Sequence, residues 1–440
     1  MSGPIWKKSG VDAPPEAVMR FLAGNDVVLD RELLPFDIRA SQAHARGLAR
    51  IGLLTSGQAD AICTELDRLA KAFDDGEFVL DDRFEDGHSA IESWLTERLG
   101  ETGRRIHAGR SRNDQVAVAI RLYLKDRLGR LARYCSKIAS VCLQRAEAEA
   151  LYPMPGHTHL QQAMPSSLGM WWAGHGEAWV DNAELALLIR DWLDASPLGT
   201  ASGFGVNFDL DRDGVAEDLG FARLVVNPQN AQAQRGKVEL RALDALAAAT
   251  GDLRRLCWDL SLYASQEFGW LRVPAAWCTG SSIMPNKRNP DAVELLRALH
   301  ATVVGARAEI DAVLSLPSGY QRDLQDTKPA LLRAFARALE GLALVPGLLD
   351  GLAWDYARMR DAIGPELFAT DRANELVAQG ASFRDAYRQV GDALDELDAR
   401  DVDSSLRDRV SLGAPGRLGL DRIAERLEQI RGRLKPDACA

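Results

Sequence analysis

The sequence contains at least five long stretches in which apolar residues recur every three or four positions. In the first, residues 112–150, the chain has no proline and one glycine. This spacing matches the 3.6-residue turn of an α-helix and predicts a continuous amphipathic helix. The same pattern fills residues 167–195, 237–268, 290–314 and 328–359. The predicted helices are therefore roughly 25 to 35 residues long, well above the mean of about 11 to 12.

Helices of this length cannot cover their own apolar stripes. The stripes are wide and rich in Trp and Ala, which predicts a bundle that also packs against other subunits. Strand signals are confined to EFVLDD near residue 80 and ARLVVN near residue 225, which predict small hairpins at most. The hydrophobic pattern therefore predicts an all-α fold.

Changes in this pattern divide the chain into three predicted domains. A chain of 440 residues exceeds the size at which one compact core usually keeps growing. A polar break separates a mixed N-terminal domain, residues 1–110, from a long-helix bundle domain, residues 111–360. Shorter and more highly charged helices are predicted for a small third domain, residues 361–440.

Composition and charge narrow the class of protein. The formal net charge of -10 has the wrong sign for a protein that neutralises nucleic-acid phosphates. No apolar run approaches the roughly 18 residues of a membrane span, and the N-terminal MSGPIWKKSGVD lacks the apolar core of a secretory signal. The six cysteines are scattered without a CxxC pair, as expected of reduced thiols. We therefore expect a cytoplasmic protein without nucleic-acid or membrane partners.

Polar residues gather in the breaks between the long helices, where loops can present them without burying unpaired backbone groups. The first such break is HAGRSRNDQ at residues 107–115. Arg112 and Asn113 lie beside the positive end of the following helix, which favours an anionic ligand such as a carboxylate. The same segment is equally consistent with a helix cap.

The second break, PGHTHLQQAMPSS at residues 155–167, carries His157 and His159 on either side of Thr158. Histidine titrates near neutral pH and is the side chain most often used for proton transfer. Acid–base duty is favoured over metal binding, because no Asp, Glu or Cys lies nearby at a recognisable ligand spacing. A structural role for either histidine is the alternative. Four further histidines are interpreted as structural: His44, His88, His175 and His300.

The third break, GSSIMPNKRNPD at residues 280–291, is either structural filler or a mobile catalytic loop. Gly280 permits a sharp turn and Pro285 excludes a helix. The hydroxyl of Ser281 can act as a nucleophile, base or donor, and Lys287 predicts an anionic ligand. The segment lacks the features of a phosphate-binding P-loop and of a nucleophile elbow.

The fourth break, SGYQRDLQDTKPA at residues 318–330, precedes another long helix. Tyr320, Gln325 and Lys328 could hold the polar end of a zwitterion. Taken alone this signal is weak, because a Gln and a Lys three residues apart are ordinary on a helix surface.

Together these breaks resemble a known family. The loop GSSIMPNKRNP resembles the GSSxMPxKxNP signature of the fumarase/aspartase superfamily, and four other segments are similar to argininosuccinate lyases: FDIRASQAHARGL, HAGRSRNDQV, GHTHLQQAMP and YQRDLQDTK. The resemblance spans about residues 30–370. It implies a three-domain, all-α subunit whose central helices form a twenty-helix homotetramer core. Each active site would then take residues from three chains.

The resemblance also implies the reaction, a reversible β-elimination of L-argininosuccinate to L-arginine and fumarate in arginine biosynthesis, with no metal or organic cofactor. Loss of the proton alpha to a carboxylate builds a second negative charge, which preorganised cations and donors must stabilise. Lys287 and Asn289 match that task. A base must remove the proton, and an acid must protonate the departing guanidino nitrogen.

The family's catalytic roles carry over onto matching positions of this sequence. Ser281 and His159 correspond to the two proton-transfer residues, and Glu294 to the carboxylate that orients the histidine. Ser281 is the predicted base and His159 the acid or a relay, with the opposite assignment left open. The substrate contacts implied by the resemblance are Arg112, Asn113 and Thr158, with Tyr320, Gln325 and Lys328 at the arginine end.

Three departures from the family's pattern concern substrate contacts more than the elimination itself. WKKSG stands where the family has WGGRF, Asp26 occupies the position of a common substrate-binding serine, and AQAQRGK at residues 231–237 replaces a pattern closer to VSDRD.

Two other functions are weighed against the lyase. Adenylosuccinate lyase or another superfamily member is disfavoured by RSRNDQ and DLQxxK. A structural role like that of the lens δ-crystallins is disfavoured because the proton-transfer residues are intact.

Overall fold

The computed structural model describes residues 15–434 of the chain. The WKKSG segment and Cys439 lie outside the described residues. The α-helices, numbered in chain order, are α1 Glu16–Ala23, α2 Asp26–Arg50, α3 Ser56–Asp74, α4 Gly87–Leu99, α5 Glu101–Arg104, α6 Arg112–Ala148, α7 Leu168–Trp192, α8 Arg212–Asp218, α9 Pro228–Ala233, α10 Lys237–Tyr263, α11 Asp291–Val313, α12 Thr327–Asp350, α13 Tyr356–Asp361, α14 Ala369–Ala378, α15 Phe383–Gly391, α16 Val402–Asp408 and α17 Leu420–Leu434.

Short elements connect these helices. The 3-10 helices are Arg105–His107, Ala275–Trp277, Arg322–Asp326, Pro365–Phe368 and Leu394–Glu396. The strands are β1 Pro153–Thr158, β2 Gln161–Ser167, β3 Ala195–Ser196, β4 Arg223–Leu224, β5 Leu271–Arg272, β6 Thr279–Gly280, β7 Arg288–Asn289 and β8 Ala353–Trp354. They form two-stranded pairs: β1–β2, β5–β8 and β6–β7 are antiparallel, and β3–β4 is parallel.

The described residues form two compact units, each built from separate stretches of chain. The first unit contains the chain up to Gly129, Leu187–Asp244 and Val304–Ala336. The second contains Arg130–Ala186, Ala245–Val303 and the chain from Arg337 onward. The division into consecutive domains at residues 1–110, 111–360 and 361–440 stays a prediction.

The predicted all-α fold and its long helices are confirmed by α6, α7, α10, α11 and α12. The last of these is shorter than predicted, because it ends at Asp350 and the chain enters β8. Asp355 then starts a new helix by accepting the backbone N–H of Arg358. Among residues 15–434, no helix is both long and apolar enough to cross a lipid bilayer.

The strand expectations were partly wrong. The EFVLDD segment forms no strand, and Arg223–Leu224 pairs in parallel with Ala195–Ser196 instead of closing a hairpin. The longest strands instead form the β1–β2 hairpin, in the segment interpreted as a Pro- and Gly-rich break. This hairpin could not be predicted from the hydrophobic pattern, because its strands contain polar residues and prolines instead of alternating apolar residues.

Helices α2, α3 and α4 pack around one apolar core in the first unit, whose fully buried members include Leu34, Leu48, Ile62, Leu66 and Ile91. Capping boxes start two of these helices. Thr55 accepts the Gln58 N–H at 3.2 Å, and Asp86 accepts the Ser89 N–H at 2.7 Å. The cap at Asp86 fixes the entry into α4 beside the cavity described below.

In the second unit, aromatic side chains anchor the β1–β2 hairpin. An aromatic cluster in this unit contains Trp171, Trp172, Tyr263, Phe268, Trp270 and Trp354. The ring of His157 lies 5.6 Å from that of Trp270, and its Nδ1 lies 3.1 Å from the Pro155 carbonyl oxygen. The structural interpretation of this histidine is therefore the better one, and it leaves His159 at the hairpin tip.

Candidate active site

The start of α6 is organised by Asp114. Its Oδ1 accepts the Ser111 N–H at 2.9 Å, while Ser111 Oγ accepts the Asn113 N–H at 3.3 Å. These bonds satisfy donors at the helix N-terminus and fix the backbone that carries Arg112 and Asn113. The segment is thus a helix cap, and the same cap positions the two predicted ligand-binding residues.

The second oxygen of Asp114 holds another segment against this helix start. Oδ2 accepts the backbone N–H of Ala201 at 2.9 Å and of Gly199 at 3.1 Å. The carboxylate is fully buried, and burial raises its pKa to about 6 although three backbone donors and Arg110 oppose the rise. Asp114 therefore connects two loop segments of the first unit through one buried side chain.

Arg112 lies between two carboxylates of the α3–α4 connection. Its Nη1 is 2.8 Å from Glu85 Oε1 and 3.2 Å from Asp86 Oδ2. Burial lowers the pKa of Arg112, but the two carboxylates outweigh burial and hold it above its ordinary value. The guanidinium is thereby held in place and charged.

Lys328, at the start of α12, is 3% exposed and also lies between two carboxylates. Its Nζ is 2.8 Å from Asp26 Oδ1 and 2.9 Å from Asp30 Oδ1, both on α2. Burial lowers the pKa of Lys328, but Asp30 and Asp26 outweigh burial and raise it. Asp30 also accepts the Gly87 N–H at 2.9 Å, which ties α4 to the same cluster.

These groups line one cavity of about 160 Å³ in the first unit, together with Gln325, whose Nε2 donates to the Leu22 carbonyl oxygen at 3.1 Å. The structure thus brings together two motifs that lie about 200 positions apart in sequence, RSRNDQ and YQRDLQDTK. The lining residues are Asp26, Asp30, Glu85, Asp86, His88, Arg112, Asn113, Val116, Arg235, Tyr320, Arg322, Gln325 and Lys328.

Several lining residues were missed by the sequence analysis. His88 was interpreted as structural, yet it lines the cavity, with Nδ1 2.5 Å from Asp37 Oδ2. Burial lowers the pKa of His88, but Asp37 and neighbouring carboxylates outweigh burial and raise it. The acidic pair Glu85 and Asp86, separated from this histidine only by Gly87, was the available signal. Arg235, in the departing AQAQRGK segment, donates to the Leu324 carbonyl oxygen at 3.2 Å.

The proton-transfer candidates lie in the second unit. Thr158 pairs with Gln161 across the β1–β2 hairpin, so the turn between the strands consists of His159 and Leu160 alone. Both residues have positive φ angles, 55° and 59°. Residues other than glycine rarely adopt this conformation, which matches the backbone twist of a two-residue hairpin turn. The strained turn holds Thr158 and His159 exposed at its tip.

The signature loop, residues 281–287, connects β6 to β7. Ser281 Oγ accepts the backbone N–H of Met284 at 3.1 Å and of Ile283 at 3.4 Å. Donors aimed at this oxygen favour its deprotonated form, which is the direction required of a base. Lys287 is exposed in the same loop, and Asn289 lies on β7.

Glu294 lies exposed in the first turn of α11, where the Thr279 hydroxyl bonds to the nearby Asp291. Within residues 15–434 of a single chain, no hydrogen bond or ion pair joins Glu294 to His159. Its predicted role in orienting the histidine stays a prediction. Among these described residues, no group of three or more His, Cys, Asp or Glu side chains is arranged to hold a metal ion.

The predicted site residues therefore fall into two sets. The first unit holds the residues predicted to contact substrate, gathered around one cavity: Arg112, Asn113, Tyr320, Gln325 and Lys328. The second unit holds the remaining residues, on the hairpin tip, the signature loop and the start of α11: Thr158, His159, Ser281, Lys287, Asn289 and Glu294.

Comparison with known proteins shows which family the chain resembles. The sequence profile of a family described as Lyase matches residues 19–305. The chain is 52% identical over 432 residues to argininosuccinate lyase of Xanthomonas oryzae pv. oryzae (strain PXO99A), covering 98% of this chain and 100% of that one. It is 53% identical over 423 residues to argininosuccinate lyase of Xylella fastidiosa (strain 9a5c), covering 96% and 95%.

The fold is also found in solved structures. The chain superposes on the crystal structure of EDDS lyase in complex with formate with a TM-score of 0.80, covering 96% of this chain and 92% of that one. At 22% identity this likeness concerns the fold alone. Because the sequence identity to the two bacterial lyases extends over nearly the whole chain, the chain belongs to the argininosuccinate lyase family of the fumarase/aspartase superfamily.

Proposed function

We propose that this protein catalyses the reversible β-elimination of L-argininosuccinate to L-arginine and fumarate. The observation that carries the proposal is the cavity of the first unit, where Arg112 and Asn113 lie with Tyr320, Gln325 and Lys328. Cations and amide groups around one cavity suit a substrate that carries several carboxylates and a zwitterionic end. The identity to argininosuccinate lyases of Xanthomonas and Xylella supports the same substrate.

The chemistry assigned to the second unit is a proton transfer at carbon followed by loss of a nitrogen leaving group. Ser281 removes the proton next to the substrate carboxylate, and its oxygen is prepared for that step by the backbone donors of Ile283 and Met284. Lys287 and Asn289 stabilise the extra charge on the carboxylate. Breaking the C–N bond then forms the double bond of fumarate, and the guanidino nitrogen takes a proton from His159.

We also propose that the subunit assembles into a homotetramer in which chains share active sites. The long helices carry exposed apolar side chains that one chain leaves uncovered: Met170, Leu188, Trp258, Leu295, Val304 and Leu344. Apolar groups at successive positions of long helices are typical of helix bundles completed by further helices. We further propose that the enzyme acts in the cytoplasm, in arginine biosynthesis, and needs no cofactor.

The direct test is incubation of the purified protein with argininosuccinate while fumarate absorbance is followed. We expect fumarate and arginine in equal amounts, and no product from adenylosuccinate. Turnover of adenylosuccinate with none of argininosuccinate would identify a different member of the superfamily. Absence of turnover with both substrates would favour a structural protein on the same fold.

A further inference from the structure

Asp26 lines the cavity of the first unit, where it pairs with Lys328. It is the first residue of α2, its side chain is 15% exposed, and its Oδ1 lies 2.8 Å from Lys328 Nζ. Within the described part of the chain, Lys328 is the partner that the structure gives this carboxylate. By contrast, Asp30 is 6% exposed and bonds to both Lys328 and the Gly87 N–H.

Two carboxylates pair with the single ammonium group of Lys328, so the immediate surroundings of this ammonium carry one more negative than positive charge. Asp30 alone already neutralises Lys328 at 2.9 Å. Burial, with Asp30 and Asp86, raises the pKa of Asp26 although Lys328 opposes the rise. The ionised Asp26 is thus electrostatically unfavourable in the unliganded cavity, and a bound cation beside it would relieve that cost.

The charges of the cavity also match a particular ligand. A zwitterionic amino acid carries an ammonium and a carboxylate on the same carbon, and Asp26 and Lys328 present the opposite charges at contact distance. We propose that Asp26 accepts the α-ammonium group of the arginine end of the substrate, while Lys328 faces its α-carboxylate. This inference rests on the proposed function, and it makes Asp26 a residue that selects an α-amino acid.

The expected discrimination is a difference in affinity between L-arginine and 5-guanidinopentanoate, which lacks only the α-ammonium group. A charge-assisted hydrogen bond to a desolvated partner corresponds to about a 10- to 100-fold change in affinity. The full-length protein should therefore bind arginine about 10- to 100-fold more tightly than the analogue in calorimetric titrations. Equal affinities would overturn the inference without the need for any variant.

Asp26→Asn isolates the residue responsible. We expect this variant to lose about 10- to 100-fold in affinity for arginine while its affinity for 5-guanidinopentanoate stays the same, because only the ligand with the ammonium group loses a partner. Glu32→Gln removes one negative charge from the same helix outside the cavity, where Glu32 pairs with Arg127, and should change neither affinity. An equal loss for both ligands, or no loss for either, would overturn the inference.

The binding titrations need no turnover, so they separate this inference from the proposed function. If the protein discriminates the two ligands through Asp26 but releases no fumarate from argininosuccinate, the role of Asp26 stands and the proposed reaction is wrong. If the protein releases fumarate but binds both ligands equally, the proposed reaction stands and the role of Asp26 is wrong.

Discussion

The two proton-transfer candidates are placed by opposite means at the scale of single residues. His159 is held by backbone strain, since both residues of its turn have positive φ. Ser281 is held by hydrogen bonds, since its oxygen accepts two backbone N–H groups of its own loop. In both cases the observed constraint comes from the backbone of the residue's own turn or loop.

Replacing His159 by Asn should lower kcat by about 10² to 10⁴, because general acid–base catalysis typically contributes that factor. The exposed position of the side chain predicts unchanged helicity, which circular dichroism can check. A kcat within a few-fold of the unaltered enzyme would remove the residue from the mechanism.

Replacing Ser281 by Ala should nearly abolish turnover and preserve substrate binding, because the hydroxyl is assigned to the chemical step. Single-turnover kinetics and calorimetric titration with argininosuccinate separate these two effects. Retained turnover would exclude the serine as base, and would leave the assignment to His159.

A substitution at the neighbouring Leu160 can test whether the backbone of this turn is strained. Its side chain is 73% exposed, so packing does not explain why a leucine occupies the left-handed region at φ 59°. Asn tolerates this conformation better, and Leu160→Asn should raise the free energy of unfolding by roughly 1 kcal/mol. Ile283→Asn, at another exposed apolar position, serves as the control. A lower unfolding free energy for Leu160→Asn would show that the turn is not strained.

At the scale of elements, Asp114 links the start of α6 to the segment around Ala201 through a fully buried carboxylate. Its pKa is raised from 3.8 to about 6, so between these values the folded state binds a proton that the unfolded state has lost. Stability from this group is therefore present at low pH and falls as the pH rises through this window.

The consequence can be measured by comparison with Asp114→Asn, which cannot titrate. Between about pH 3 and 7, the unfolding free energy of the unaltered protein should fall by about 3 kcal/mol relative to the variant, at 1.36 kcal/mol per pKa unit. Urea denaturation across this range provides the measurement. Parallel pH profiles for the two proteins would show that the pKa of Asp114 is unshifted.

At the scale of the whole molecule, the exposed apolar side chains on the long helices predict assembly. Leu295 is 59% exposed on α11, directly after Glu294. Light scattering should give a mass of four chains of 48.1 kDa, and Leu295→Glu should lower that mass and the activity together. Val410→Glu, at an exposed apolar residue outside these helices, should change neither. A monomer with full activity would contradict shared active sites.

The sequence by itself determined the helical architecture and the identity of the reactive motifs. The long helices follow from a periodicity of three to four residues, which is a local property of the chain and can be read without partners. RSRNDQ, GHTHLQQAMP and the signature loop were recognisable because each is a short contiguous segment. The early end of α12 and the β1–β2 hairpin escaped this reasoning, since both depend on how the chain pairs with other segments.

Only the tertiary structure decided which residues meet. Lys328 and Asp30 are 298 positions apart in sequence and 2.9 Å apart in space, and no local pattern relates them. Asp26 was notable in the sequence only as a departure, and its place beside Lys328 is what gives it a function to test. Helix periodicity arises between neighbours on the chain, whereas an ion pair of this kind arises only when folding brings distant helices together, and the burial that follows sets its strength.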